Sequence, residues 1–394
     1  MRPLDRLLGR GSIITRSLAG PLLVLLPLVA AIASRAAAGL PPGVGVLLPV
    51  QDRVGRPPLA ELVEATLARE LAAHATLAAT SEARPVLRAL RIRDASDEPP
   101  DRLAALADRL EADWFFLVTL HEAQTGRPPR RDDGELGRAL AEEGAGDTPQ
   151  ITLSARIVQR GSEELWWAGF SAATGRDREG LFGRGEVEFL DELAREVAGE
   201  LVRKAAGPPA ERPRPRLQHR WQGYSRISQP PARVAVIPMD SVAELEAGAA
   251  AEVATAALLA ALSDYGYRAL LPGLVRTIRQ GSGQVIPGAA ARAEWEALAR
   301  AAGAAWVATG TVETYRRGYG RDPRPWVAFS VRLLDTASGR IDAIGGLERT
   351  GPESAAAFDR GRIYSSAELA YEMMRALVYG MRPAPAAARA QVGD

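Results

Sequence analysis

The sequence predicts an α/β fold of the layered α+β kind: two tandem copies of a small mixed β-sheet with helices packed mainly on one face. Two observations carry this. The first is that the chain is written twice. Phe182-Gly183-Arg184-Gly185, then Glu192-Leu193-Ala194 and Leu201-Val202, returns as Phe358-Asp359-Arg360-Gly361, then Glu368-Leu369-Ala370 and Leu377-Val378. At the same spacing Thr174-Gly175 meets Thr350-Gly351, and Ser154-x-Arg156 meets Ser330-x-Arg332. Upstream, Trp114 aligns with Trp306 and Leu47-Leu48-Pro49 with Val236-Ile237-Pro238, after two changes of spacing that confine length differences to loops. The second observation is that the hydrophobic period switches between strand-like and helix-like in the same order in each copy.

Each copy opens on a short apolar strand, residues 44–50 and 234–239. A helix follows. Leu59, Leu62, Val63, Leu67 and Leu71 share its face in copy one, and Leu258, Leu259, Leu262 and Tyr265 in copy two, where Gly266 stops it. Short strands are expected over 86–92 and 268–271, then a second helix over 101–110 and 289–302. The clearest strand comes next, 114–121 and 306–313. Two more strands, 151–158 with 165–170 and 327–334 with 341–346, are separated by polar turns, and Gly161-Ser162 and Ser338-Gly339 suit hairpins there. A long amphipathic helix closes each copy from about 186 and 362, with Leu193, Val197 and Leu201, or Leu369, Met373 and Leu377, at core spacing.

These elements place copy one at 43–205 and copy two at 233–381. Residues 206–232 form a Pro- and Arg-rich linker, whose prolines cannot sustain a helix or a central strand. It is either a solvated spacer or a segment that lies on an anionic surface. The Ala- and Pro-rich tail 382–394 is expected to be disordered. Residues 1–38 carry Arg2, Arg6, Arg10 and Arg16 ahead of an uncharged run over 17–34, with small residues at 31–33 and 36–38. This is the pattern of a signal peptide. The run is also close to the length that spans a bilayer, so an uncleaved inner-membrane anchor is the alternative. Either way the copies lie outside the cytoplasm, in the periplasm or anchored facing it. The chain has no cysteine, which excludes lipidation at a Cys, disulfides and thiolate metal sites. Its 49 Lys and Arg nearly cancel 48 Asp and Glu, so no global field draws it to nucleic acid.

No constellation for catalysis, metal or cofactor is legible. His74, His121 and His219 are the only histidines and fall in no ligand spacing. Gly281-Ser282-Gly283 lacks the rest of a phosphate loop, and no Ser sits in a Gly-x-Ser-x-Gly elbow. The repeated Phe-x-Arg-Gly admits two readings: Gly permits a tight entry to the last helix, or Arg184 and Arg360 contact an anion. Candidate protein contacts come from mismatches between the copies. Phe115 and Leu117 fall, with Thr119 and His121, on a strand face that in copy two holds Val307, Thr309, Thr311 and Glu313. Two large apolar residues there need cover, from the other copy or from a second protein. Trp166 and Trp167 stand where copy two has Asp342-Ala343. Strand alternation sends one ring into the core and the other outward, as a contact for a polypeptide or glycan or as interdomain packing.

Three stretches of copy two together resemble the CsgG superfamily of curli secretion: Val234-Ala235-Val236-Ile237-Pro238; Leu298 to Gly303 running into Ala305-Trp306-Val307-Ala308-Thr309-Gly310-Thr311-Val312; and Val331-Arg332-Leu333-Leu334-Asp335-Thr336 with Ser338-Gly339-Arg340. That group is similar to the LpoB activators of peptidoglycan synthases, the TolB N-terminal domain and flagellar T- and O-ring proteins. Copy one resembles it mainly through copy two. The resemblance implies an α/β domain of this element order, an envelope location and non-enzymatic binding. The chain departs from it in lacking a lipidation Cys. The loop 122–150 is also charged, without the alternating pattern of membrane β-hairpins, so a curli-type pore is not expected. The expected function is an exported, non-catalytic adaptor of envelope assembly or regulation that contacts envelope proteins, with homo-oligomers possible. A ring-forming inner-membrane or secretion-system component is the alternative. A periplasmic enzyme is the third class, and it needs a cleft of converging carboxylates.

Overall fold

The computed structural model describes residues 39–125, 148–178, 187, 189–207, 215–217, 232–243, 247–281, 298, 300–316, 324–336, 340–354 and 362–381. The first half contains β1 (Gly45–Leu47), β2 (Gln51–Asp52), α1 (Pro57–Ala72), α2 (Thr80–Ala89), α3 (Pro100–Leu110), β3 (Trp114–Gln124), β4 (Gln150–Gln159), β5 (Leu165–Thr174) and α4 (Leu190–Ala206). The second contains β6 (Arg233–Val236), β7 (Asp240–Ser241), α5 (Ala247–Asp264), β8 (Arg268–Ala269), α6 (Pro272–Gly281), β9 (Trp306–Arg316), β10 (Trp326–Asp335), β11 (Arg340–Thr350) and α7 (Ser366–Gly380).

Both sheets are mixed. The first runs β1-β3-β4-β5 with β2 also on β3, and the second runs β11-β10-β9-β6-β8 with β7 on β9. The opening strands pair in parallel with the long central strands at the same register: Gly45 faces Trp114, and Val234 faces Trp306. The remaining long strands are antiparallel neighbours. Even β8 has a one-residue counterpart, a parallel bridge from Gly45 to Leu77. Gly161 turns the β4–β5 hairpin at φ +69°, a left-handed conformation that costs glycine little. The corresponding turn at Ser338-Gly339 lies outside the described residues.

One expected strand is a helix. Residues 86–92 belong to α2 and the turn after it, and α2 takes the place that α6 takes in the second half. Ala83, Val86, Leu87 and Leu90 turn to the core at spacings of three and four, which is helical rather than strand periodicity. The closing helices start at Leu190 and Ser366, slightly later than expected. Of the expected linker, residues 206–207, 215–217 and 232 are described; Leu217 is buried in the core shared with the second half, and Arg216 pairs with Glu368 at 2.9 Å.

Helices α1 and α4 cover one face of the first sheet. There the expected helical spacing is realised by Leu59, Val63, Leu67 and Leu71 against Trp114, Phe116, Leu120, Leu153 and Ile157. A second core is continuous through both halves. It joins Phe115, Leu117 and Phe170 of the first sheet to α3, α5 and α7, and through these to Trp306, Phe329 and Val331 of the second sheet. A smaller third core, with Val275, Leu298, Ala302, Val307 and Leu334, covers part of the second sheet's outer face. Helix α5 explains the layering. It buries Ala250, Val253, Ala254, Ala257, Leu258, Ala261 and Leu262 along one stripe and Ala256, Leu259 and Ala260 beside it, and a helix buried on more than one side belongs between layers.

Candidate functional site

The structure buries Phe115 fully and leaves Leu117 6% exposed, both in the continuous core with Leu103, Leu106 and Leu110 of α3. The cover over that strand face comes from the chain itself. The two tryptophans do not alternate as expected. A bulge between Ile157 and Val158 sets Trp167 opposite Ile157 and Leu165 opposite Val158, so Trp166 is the extra residue. Both rings are half-buried on the α1–α4 side. Trp167 stacks on Phe116 at 6.3 Å between centroids, and Trp166 Nε1 donates to the Gly39 carbonyl at 2.9 Å. Arg184 and Arg360, with the rest of both Phe-x-Arg-Gly motifs, lie outside the described residues, as do His219 and most of the loop 122–150.

A different surface emerges from comparing the two sheets position by position. In the first sheet, β5 is covered by the second half. The Ala168 amide donates to Ser263 Oγ of α5 at 3.1 Å, and Phe170 lies 5.2 Å from the Tyr371 ring of α7. The Leu271 amide donates to the Glu163 carbonyl at 2.9 Å, and Arg53, after β2, pairs with Glu252 of α5 at 3.3 Å. Leu165, Ala168 and Phe170 are all buried. The same register positions on β11 are Ile341, Ile344 and Gly346: Arg332 faces Ile344 as Arg156 faces Ala168, and Ser330 faces Gly346 as Ser154 faces Phe170. The position of Arg53 is held by Val242, whose amide reaches Val312 as that of Arg53 reaches Leu120.

Here the counterparts stand open. Ile341 is 52% exposed, Ile344 50% and Val242 67%, and these are three of the large apolar residues that the described surface exposes most. A clean apolar exposure of this kind marks an interaction site more often than an exposed polar residue does. The surrounding face is polar and mixed in charge. Arg332 is exposed, Thr309, Thr311 and Ser330 are half-buried, and Trp326 Nε1 donates to Glu348 Oε1 at 3.0 Å while Arg316 lies over its ring. The sequence reads Thr309, Thr311 and Glu313 as an open strand face, but does not single out Ile341 and Ile344 on that face. The aligned copies place Ile341 and Ile344 on Leu165 and Ala168, but only the packing of the first pair tells that the second pair lacks a partner.

Three groups with shifted proton affinity, His121, Asp177 and Glu368, are buried where elements pack. Burial, aided by Arg156 and Arg53, pushes His121 down to about 3, so its imidazole is neutral at physiological pH, and Nε2 sits 2.8 Å from Ser154 Oγ. Glu368 is raised to about 8 by burial and by the charge of Asp177, and Asp177 is raised to about 6 by burial. Both carboxyl groups sit where α4, α7 and the Arg216 segment pack together. The cleft of about 400 Å³ lined by residues 40–43, 74–76 and Ala206 contains no carboxylate. Among the described residues no group of three or more His, Asp or Glu is placed to hold a metal ion, and no helix is long and apolar enough to cross a membrane.

No protein-family model matches the chain, and no curated protein matches it. Similar solved structures include the PelC dodecamer from Paraburkholderia phytofirmans, at 21% identity over 40% of this chain and 91% of that one, with a TM-score of 0.26. The LpoB C-terminal domain from Salmonella enterica matches at 17% identity over 32% and 87%, with a TM-score of 0.24. Lipoprotein GNA1162 from Neisseria meningitidis matches at 22% identity over 38% and 96%, with a TM-score of 0.27.

Proposed function

We propose that the chain is an exported, non-catalytic protein of the cell envelope that works by binding protein, and that the outer face of the second sheet is its docking surface. One observation carries the reading: Val242, Ile341 and Ile344 are exposed at positions whose counterparts in the first half are occupied by a neighbouring layer. The exposed apolar side chains stand at the two sides of this face, Ile341 and Ile344 on the edge strand β11 and Val242 after β7, with polar Thr309, Thr311, Ser330 and Arg332 between them, a mixture that a protein partner can meet. The basic and apolar pattern of residues 1–38 supports export. The resemblance of copy two to the CsgG superfamily supports an envelope role, as adaptor or as part of an assembly. Catalysis would need acid and base groups converging on a cleft, and the described carboxyl groups with raised proton affinity are packed between helices instead.

The test is a photoreactive residue placed at Ile344 in cells that export the full chain, with the same residue at exposed Arg88 as control. A protein adduct formed from 344 and not from 88 is the expected result. Equal labelling at both positions, or no protein adduct at 344, contradicts the reading.

A further inference from the structure

We propose that the partner of this face is helix α1 of a second copy of the chain, so that copies add head to tail. The proposal rests on the docking-surface reading above and names its occupant. Within one chain the contact already exists once: the helix layer α5–α7 of the second half covers β5 of the first. Helix α1 is the counterpart of α5. Leu67 matches Leu258 and Leu71 matches Leu262 in their cores, and Glu64 accepts from the Val50 amide as Thr255 accepts from that of Met239. The side of α5 that meets the first sheet carries Glu252 and Ser263, on one helix face with Ala256 and Leu259. The corresponding side of α1 is Glu61, Ala65, Ala68 and Ala72; Glu61, Ala65 and Ala72 are exposed, and Ala68 is partly buried against the core beneath. Among the described residues, one side therefore ends in a sheet face that α6 covers only in part, and the other in an outward helix face that is the counterpart of the one covering a sheet internally.

Charge agrees. Glu252 pairs with Arg53 and acts on Arg156; Glu61 is the counterpart of Glu252, and exposed Arg332 is the counterpart of Arg156. Val242, Ile341 and Ile344 supply the apolar contact. Such an interface is heterologous, so it closes into a ring or extends into a filament according to its rotation.

The experiment is sedimentation velocity on the full chain purified from the envelope, over a wide concentration range, with two single variants that disable opposite surfaces. Ile344→Asp removes the sheet face and Ala65→Glu the helix face, and circular dichroism and unfolding curves confirm that each is folded. The wild type is expected to form higher species. Each variant alone should associate about tenfold more weakly or less. A mixture of I344D and A65E should form dimers and stop there, because one intact surface of each kind remains. Charge reversal supplies a second arm: E61R and R332E each weaken assembly, and the double variant recovers it. A chain that is monomeric throughout, or assemblies indifferent to both I344D and A65E, overturns the proposal. If the adduct at 344 is a different protein and the chain is monomeric, the occupant is wrong and the docking surface stands. If 344 gives no adduct, both fall.

Discussion

At the scale of single residues, Glu122 is the clearest link between the halves. It is 3% exposed at the end of β3. Its Oε1 accepts from Tyr315 Oη of β9 at 2.9 Å, and its Oε2 from Thr152 Oγ1 at 2.9 Å and Gln150 Nε2 at 3.3 Å. Gln150 also donates to Ser365 Oγ, the cap of α7. A buried carboxylate is tolerable only with such donors. Tyr315→Phe removes a charge-assisted bond across the two sheets and should destabilise the chain by about 1.5–3 kcal/mol in denaturant unfolding. Glu368 and Asp177 give the pH dependence. Both have folded-state proton affinities raised above their ordinary values, so the stability they contribute is complete in mild acid, below their ordinary range. It is lost as pH rises through about 6 for Asp177 and about 8 for Glu368. Arg216 opposes the shift in both, while Glu200 and Glu372 reinforce it at Glu368. Thermal unfolding should therefore be highest near mildly acidic pH and fall toward alkaline pH, and Glu368→Gln should flatten the upper part of the fall. A melting temperature that climbs from pH 5 to pH 8 would contradict this assignment. Neither group was visible in the sequence, because each owes its shift to neighbours brought from distant segments.

At the scale of elements, the long amphipathic pieces were legible and the short ones were not. Strands β3, β9 and the two hairpin pairs declared themselves by unbroken apolar runs or alternation, and α1, α4 and α7 by core spacing. Helix α2 was hidden because Val86, Leu87 and Ile92 crowd into a short stretch whose period is ambiguous over so few residues. The tryptophan pair misled for a related reason: a single bulge reverses the parity of a strand, and no residue type announces it. Helix α5 differs from α1 in what surrounds it. Leu258→Ala in the middle of α5 should cost about 2–5 kcal/mol, since Leu258 is fully buried and its removal leaves a cavity. Ala65→Glu on the outward side of α1 should stay within about 0.5 kcal/mol of the wild type in the dissociated chain. Gly273, at the start of α6, is a further point of contact between the halves. A Cβ there would strike the Glu98 carbonyl, so Gly273→Ala should lower the unfolding midpoint.

At the scale of the molecule, the duplication produces a stack with two unlike ends. The order runs from the helices α1 and α4 through the first sheet, the helices α5 and α7, and the second sheet, with α6 covering part of its outer face. The two copies were readable from the aligned residues, yet their differences made sense only once packed. Phe115 and Leu117 lie inside the shared core, whereas Ile341 and Ile344 are about half exposed on the outer face of the second sheet, beside the part that α6 covers. The most direct measurement of this difference is amide hydrogen exchange on the purified chain at high dilution, comparing residues 165–174 with 340–350. Slow exchange over β5 and markedly faster exchange over β11, with β11 slowing as concentration rises, is the predicted result. Equal protection of the two strands at every concentration would contradict it.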